Sequence, residues 1–126
     1  MELRLEVVPL PVADVDRAKA FYVDQVGFAC DHDVAFPGLR VCQLTPSGSA
    51  CSIVLGVVTT PPGSVQGLHL VVADLDAAVA DLASRGVALD DVVDHGGGVR
   101  SCGFSDPDGN GWLLQEVAAD AHIPEV

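Results

Sequence analysis

Val12-Ala13-Asp14-Val15-Asp16-Arg17-Ala18-Lys19-Ala20 returns sixty residues later as Val72-Ala73-Asp74-Leu75-Asp76-Ala77-Ala78-Val79-Ala80. Six of the nine aligned positions are identical, and Val15/Leu75 exchanges one apolar side chain for another. Each copy follows an alternating apolar run and gives way to a glycine with an apolar residue after it, Gly27-Phe28 and Gly86-Val87. A period of half the chain marks two similar modules that bury apolar faces. The space between two such modules is a natural place for a ligand.

Working outward from the first copy, Leu3 to Val12 alternates as a strand should. Pro9 and Pro11 are two apart and both lack an N–H, so one edge of this strand is expected to be unpaired there. Asp14 is the natural N-cap of a helix, with Asp16 favourable in its first turn. Val15, Ala18, Phe21 or Tyr22 and Val26 make an apolar stripe at helical spacing, and Gly27 closes it. Strands are predicted over 28–36, 39–45 and 50–58, separated by Pro37-Gly38 and Pro46-Ser47-Gly48. Around the second copy the order repeats: a strand over 67–73, a helix over 74–85, and strands over 87–93, 99–105 and 111–117. His95-Gly96-Gly97-Gly98 and Asp106-Pro107-Asp108-Gly109-Asn110-Gly111 read as turns. The expected fold class is α+β: two βαβββ modules, a curved mixed sheet around a central cavity, and helices on the outer face.

The composition fits this arrangement. With 126 residues and 49% of them apolar, the chain holds enough material for one domain. A module of about sixty residues is marginal alone. The division is module one over 1–60, a Pro/Gly/Ser linker over 61–66, module two over 67–117 and a tail over 118–126. Six basic and eighteen acidic residues give a net charge of −12, which argues against nucleic-acid and anionic-membrane partners. No run of about 18 apolar residues predicts a membrane span. The start at Met1 lacks a basic segment followed by an apolar one, so a cytoplasmic location is expected. Cys30, Cys42, Cys51 and Cys102 form no Cys-x-x-Cys pair and read as small buried hydrophobes.

The duplication, the run from Val12 through Phe21-Tyr22 to Gly27-Phe28, and Phe104-Ser105-Asp106-Pro107-Asp108-Gly109-Asn110 together resemble the vicinal oxygen chelate superfamily. That superfamily includes glyoxalase I, bleomycin-resistance proteins, fosfomycin-modifying enzymes and extradiol dioxygenases. The resemblance covers nearly the whole chain and implies the two-module fold, a small-molecule ligand and a homodimer. It also implies metal ligands on the first and last strands of each module. Counting from Asp14 and Asp74 places the first-strand positions at Val7 and Gly67. Counting from Asn110 places a last-strand position at Leu113, with Val54 as its counterpart. None of these side chains is a donor for a hard cation. No cofactor is therefore expected, with a divalent metal kept as the lesser alternative.

The polar residues on these strands become the candidates. His69 alternates against Leu68, Leu70 and Val72 and is assigned to the cavity face as a ligand contact or general base. Gln43 and Gln115 lie in otherwise apolar strands and need partners that a ligand can supply. Arg40 and Arg100 each begin a strand beside a glycine-containing turn, as a solvated strand end or an anchor for an anionic substrate. Trp112 is assigned to the helix-packing face with Leu114, Tyr22 to the core with its hydroxyl at the rim. His32, Asp33 and His95 read as surface residues, and His122 lies in the tail. Two functions follow. One is a metal-independent protein holding an apolar or aromatic metabolite or drug, with Val7, Gln43, Val54, Gly67, His69, Arg100, Leu113 and Gln115 around it. The other is a lyase, isomerase or cyclase with His69 as general base, or a metal-dependent lyase or dioxygenase if other ligands are recruited.

Overall fold

Both helices start where the repeat places them. The Asp14 carboxylate accepts from the Arg17 N–H at 3.1 Å, and the Asp74 carboxylate accepts from the Ala77 N–H at 3.1 Å. Each cap satisfies a donor that the helix itself leaves unpaired. Helix α1 spans Val15–Ala20 and α2 spans Leu75–Ser84.

The computed structural model describes residues 1–57 and 60–118. Val58, Thr59 and the tail from Ala119 onward, including His122, lie outside the described residues. The chain divides into two units. The first is Met1–Val65 together with Asp106–Asn110; the second is Gln66–Ser105 with the residues from Gly111 onward.

The first unit carries a four-stranded mixed sheet in the order β1-β4-β3-β2. Its strands are β1 (Val7–Pro9), β2 (Ala29–Phe36), β3 (Leu39–Thr45) and β4 (Ser52–Leu55). β1 is parallel to β4, whereas β3 is antiparallel to both β4 and β2. The first strand is much shorter than the predicted 3–12. The Leu10 N–H still donates to the Val54 carbonyl at 2.9 Å. That bond fixes even-numbered donors toward β4, so the prolines at 9 and 11 fall on the other edge, as their missing N–H groups require.

A difference from the predicted helix follows Ala20. Residues Phe21–Val26 form a π-helical segment, which ends at Gly27 with φ 96°. The Gly27 N–H donates to the Tyr22 carbonyl at 2.9 Å, one residue wider than an α-turn. Neighbouring residues on an α-helix point about 100° apart. The widened turn reduces that angle, and both Phe21 and Tyr22 are buried. The Tyr22 hydroxyl is not at a rim: it donates to the buried Asp106 carboxylate at 2.8 Å.

The second unit repeats the plan in the order β5-β8-β7-β6. Its strands are β5 (Leu68–Val72), β6 (Val93–Gly96), β7 (Val99–Ser105) and β8 (Gly111–Val117). The strand predicted over 87–93 is the main departure. Only an isolated bridge from Leu89 to Phe104 forms there, and β6 begins at Val93 and takes in His95 and Gly96. The turn is thereby confined to Gly97 and Gly98. The α+β class and the two βαβββ modules are as the repeat implies.

In each unit one sheet face is covered by a helix and is the apolar core. Cys42, Leu44, Ile53 and Leu55 are buried there in the first unit, and Cys102, Phe104, Trp112 and Leu114 in the second. Phe104 and Trp112, cross-strand partners, stack with centroids 6.2 Å apart. Trp112 is thus a core residue beside Leu114, and the opposite face of each sheet is left to present other chemistry.

Candidate functional site

Strand alternation and register decide which side chains reach each open face. In the first unit Val7 pairs with Ser52, and Val54 with Gln43; His32 pairs with Gln43 and Val34 with Val41. Val7, Val34, Val41, Gln43, Thr45, Ser52 and Val54 therefore share the face opposite the core. Three of them form a directed hydrogen-bond chain. The Gln43 amide donates to Ser52 Oγ at 3.3 Å, and Ser52 and Thr45 hydroxyls lie 2.6 Å apart. Thr45 Oγ1 donates to Asp31, so the shared bond runs from Ser52 to Thr45. The Gln43 carbonyl oxygen is the acceptor this chain does not use.

In the second unit the open face is laid out in rows. One row runs Gly103, Leu113, His69; the next runs Val93, Ser101, Gln115, Val71. A register shift between Asp94 and Gly96 re-aims His95, whose Nε2 lies 2.6 Å from Ser101 Oγ. His69 is exposed, and its Nδ1 lies 2.7 Å from the Gly67 carbonyl. A carbonyl only accepts, so Nδ1 carries the proton. In the neutral ring Nε2 is then the lone-pair nitrogen.

The structure thus brings His69, Leu113 and Gln115 to one face of the second sheet, and Val7, Gln43 and Val54 to one face of the first. Gly67 precedes β5 with φ 82° and contributes a backbone carbonyl rather than a lining side chain. Arg100 stands apart. It shares the core-side face with Cys102 and Phe104, where its guanidinium donates to Glu116 at 2.6 Å and to Asp76 at 3.2 and 3.3 Å. Those bonds raise its pKa further, Glu116 contributing most. The placement corrects the expectation that it lines the ligand face. Arg40 is likewise engaged, by Asp33 at 2.8 and 2.9 Å and by Asp16 at 2.7 Å. Asp33 lies at the surface, as expected, and is paired there. Hydrogen bonds from Arg40 and then Lys19 hold its carboxyl well below the usual range.

Ser52, Thr45, Ser101 and His95 supply hydrogen-bonding groups to these faces that the candidate list does not contain. A signal for Ser101 was present: Ser101, Gly103 and Ser105 alternate with Arg100, Cys102 and Phe104, marking two unlike faces. The bulge that re-aims His95 has no comparable pattern.

Neither of the buried thiols, Cys42 and Cys102, is an activated nucleophile. Burial, with a contribution from Asp33, pushes the Cys42 thiol up to about 11, and burial also raises Cys102. The family-type metal positions Val7, Val54, Gly67 and Leu113 hold no donor side chain. Among the described residues no group of three or more His, Cys, Asp or Glu side chains is gathered for a metal ion. The donor set does not fit a hard divalent cation.

Three comparisons bear on this geometry. The family model described as Glyoxalase/Bleomycin resistance protein/Dioxygenase superfamily matches residues 4–114. Among solved structures, TnmS3, an antibiotic binding protein from Streptomyces sp. CB03234, is 40% identical with a TM-score of 0.83, covering 92% of this chain and 97% of its own. A glyoxalase/bleomycin resistance protein from the same organism is 41% identical with a TM-score of 0.78, covering 90% of this chain and 100% of its own. A superfamily member from Sphaerobacter thermophilus DSM 20745 is 30% identical with a TM-score of 0.80, covering 91% and 98%. No curated protein matches the chain.

Proposed function

The chain belongs to the Glyoxalase/Bleomycin resistance protein/Dioxygenase superfamily, and from that membership we propose that it binds an organic small molecule without the help of a metal. The observation that carries the reading is the occupancy of the family's ligand positions by Val7, Val54, Gly67 and Leu113. Where a metal-dependent relative places donors, this chain places apolar or absent side chains. Hydrogen-bonding groups stand beside them: the Gln43 carbonyl, the His69 Nε2 and Gln115. In each unit, an apolar face that carries a few polar groups suits an organic ligand. The description of TnmS3 as an antibiotic binding protein supports sequestration of a drug or a metabolite of similar build.

Native mass spectrometry of the protein from its natural host tests this. A small molecule should co-purify, stay bound after exhaustive chelation with EDTA, and be released chemically unchanged. Stoichiometric metal whose removal frees the ligand would overturn the metal-independent reading.

A second reading has one observation in its favour. The His69 Nδ1 contact with the Gly67 carbonyl fixes the tautomer that leaves Nε2 as a base. A lyase, isomerase or cyclase acting on a small metabolite would use it to take a proton, with Gln115 orienting a carbonyl. In that case the co-purified molecule is converted on incubation, and His69→Ala stops conversion while the fold survives. Undiminished conversion by His69→Ala excludes this mechanism.

The protein is expected to work in the cytoplasm as a homodimer. Val34, Phe36 and Leu39 expose apolar surface on the β2–β3 hairpin, which a second copy would bury. Light scattering should give twice the 13.0 kDa chain mass.

A further inference from the structure

We propose that Asp90, laid over Gly103, is a specificity-determining residue that selects ligands carrying a basic nitrogen. The inference rests on the small-molecule reading above and concerns the open face of the second unit alone. The backbone fixes Asp90 against β7: its N–H donates to the Gly103 carbonyl at 2.8 Å, beside the bridge from Leu89 to Phe104. Gly103 belongs to the face of Ser101 and Leu113, opposite the core. A Cβ built on Gly103 would lie only 2.7 Å from Asp90 Oδ2, with the Trp112 carbonyl at 3.6 Å. The carboxylate therefore rests where a side chain at 103 would otherwise stand.

Backbone conformation does not call for this glycine. Gly103 is absent from the positive-φ glycines and lies within a regular strand. Glycine in a strand interior weakens the strand through its conformational entropy and its lack of a side chain to pack. What it provides is room, and the group that uses the room is a carboxylate.

Among the described residues that carboxylate has no cation partner. The chain has six basic residues. Arg4 pairs with Glu2, Arg17 with Asp108, Lys19 with Asp33, Arg40 with Asp16 and Asp33, Arg85 with Asp81, and Arg100 with Asp76 and Glu116. Among the described residues, none forms an ion pair with Asp90. An acid held flat on the sheet, with every internal cation engaged elsewhere, is a receptor for an external one. Leu113 supplies the adjoining apolar surface, and His69 closes the row on β5. Two strand spacings of about 4.8 Å separate the Gly103 position from His69, room for an aromatic or similarly sized organic body.

The test uses three probes with one aromatic body: naphthylmethylamine, naphthylmethanol and naphthylacetate, titrated by calorimetry at neutral pH. Wild type should bind the amine about five-fold more tightly than the alcohol, the range of a partly exposed ion pair, and the acetate weakest. Asp90→Asn should bring amine and alcohol together without changing the alcohol affinity. Gly103→Ala, which displaces the carboxylate, should reduce the preference in the same direction. Asp24→Asn, on the π-helical segment of the first unit, changes net charge equally and should keep the preference. Persistence of the preference in Asp90→Asn, or its equal loss in Asp24→Asn, overturns the proposal, because the overall field of the acidic protein would then be the cause. Equal binding of all three probes by wild type overturns it while leaving the small-molecule reading intact. Failure of all three to bind counts against both.

Discussion

The first and second units share one device and differ around it. Arg40 reaches Asp16, and Arg100 reaches Asp76, each across twenty-four residues. A strand arginine thus ties down the second residue of the helix in both copies. The third partner differs. In the first unit it is Asp33 from β2, which also takes Lys19. In the second it is Glu116 from β8, which also accepts from the Leu75 N–H at 3.2 Å. The open faces diverge more completely: Val41, Gln43 and Thr45 stand sixty residues before Ser101, Gly103 and Ser105. Duplication has kept the machinery that holds helix to sheet and released the face that can meet a ligand.

The comparison breaks most readily in the core. Leu44→Ala and Leu114→Ala remove side chains that are 0% and 2% exposed. Each should cost about 2–5 kcal/mol in urea unfolding, since both leave a cavity in a packed helix-facing layer. A cost below about 1 kcal/mol at either site would show that the two core faces are not equivalent.

Next in size is a feature without a counterpart among the described residues of the second unit. Asn110 is fully buried; its amide donates to the Pro11 carbonyl and to Asp106 at 2.8 Å each, and its carbonyl accepts from the Val65 N–H at 3.1 Å. Asn110→Ala strands several buried groups at once and should cost about 3 kcal/mol. An unchanged urea midpoint would mean that these groups find other partners. Tyr22→Phe, removing a single donor to Asp106, should cost less.

The helix caps should give a matched pair. Asp14→Ala and Asp74→Ala should each lose about 1 kcal/mol. A much smaller loss at Asp74 would show that Glu116, at the same helix start, compensates.

The finest distinction is with pH. Arg40 and Lys19 favour the ionised form of Asp33 in the folded state. That stabilisation is complete above the ordinary carboxylate pKa of about 4 and is lost progressively as pH falls below it. The gap in urea midpoint between wild type and Asp33→Asn should therefore narrow from about pH 6 to about pH 2. A gap that stays constant would show that the charge of Asp33 is not what stabilises the fold.

Much of this was legible from the repeat. Two caps, two apolar stripes and the strand alternation fixed which residues face a helix, because burial of one face admits a single register. Trp112 and His69 fell on opposite faces for that reason. What escaped was decided by geometry that alternation does not encode. Arg100 looked like an accessible strand end, yet its register beside Glu116 turns it to the helix side. Tyr22 was legible as a core residue, but its hydroxyl, expected at the rim, is buried against Asp106, a partner eighty-four residues away that helical periodicity does not encode. Asp90 carried no signal, since its placement depends on the empty Cβ position of Gly103, two strands from His69.

The grouping of Asp106–Asn110 with Met1–Val65 bears on how the protein is made. Synthesis proceeds from the N-terminus, and N-terminal units generally fold first. Here the partners of the Tyr22 hydroxyl and the Pro11 carbonyl are Asp106 and Asn110, among the last residues of the fold to leave the ribosome. The first module to emerge is therefore the one that must wait. A nascent chain halted before residue 106 would hold the whole first sheet and helix, yet lack the residues that pair with the Tyr22 hydroxyl, the Pro11 carbonyl and the Val65 N–H.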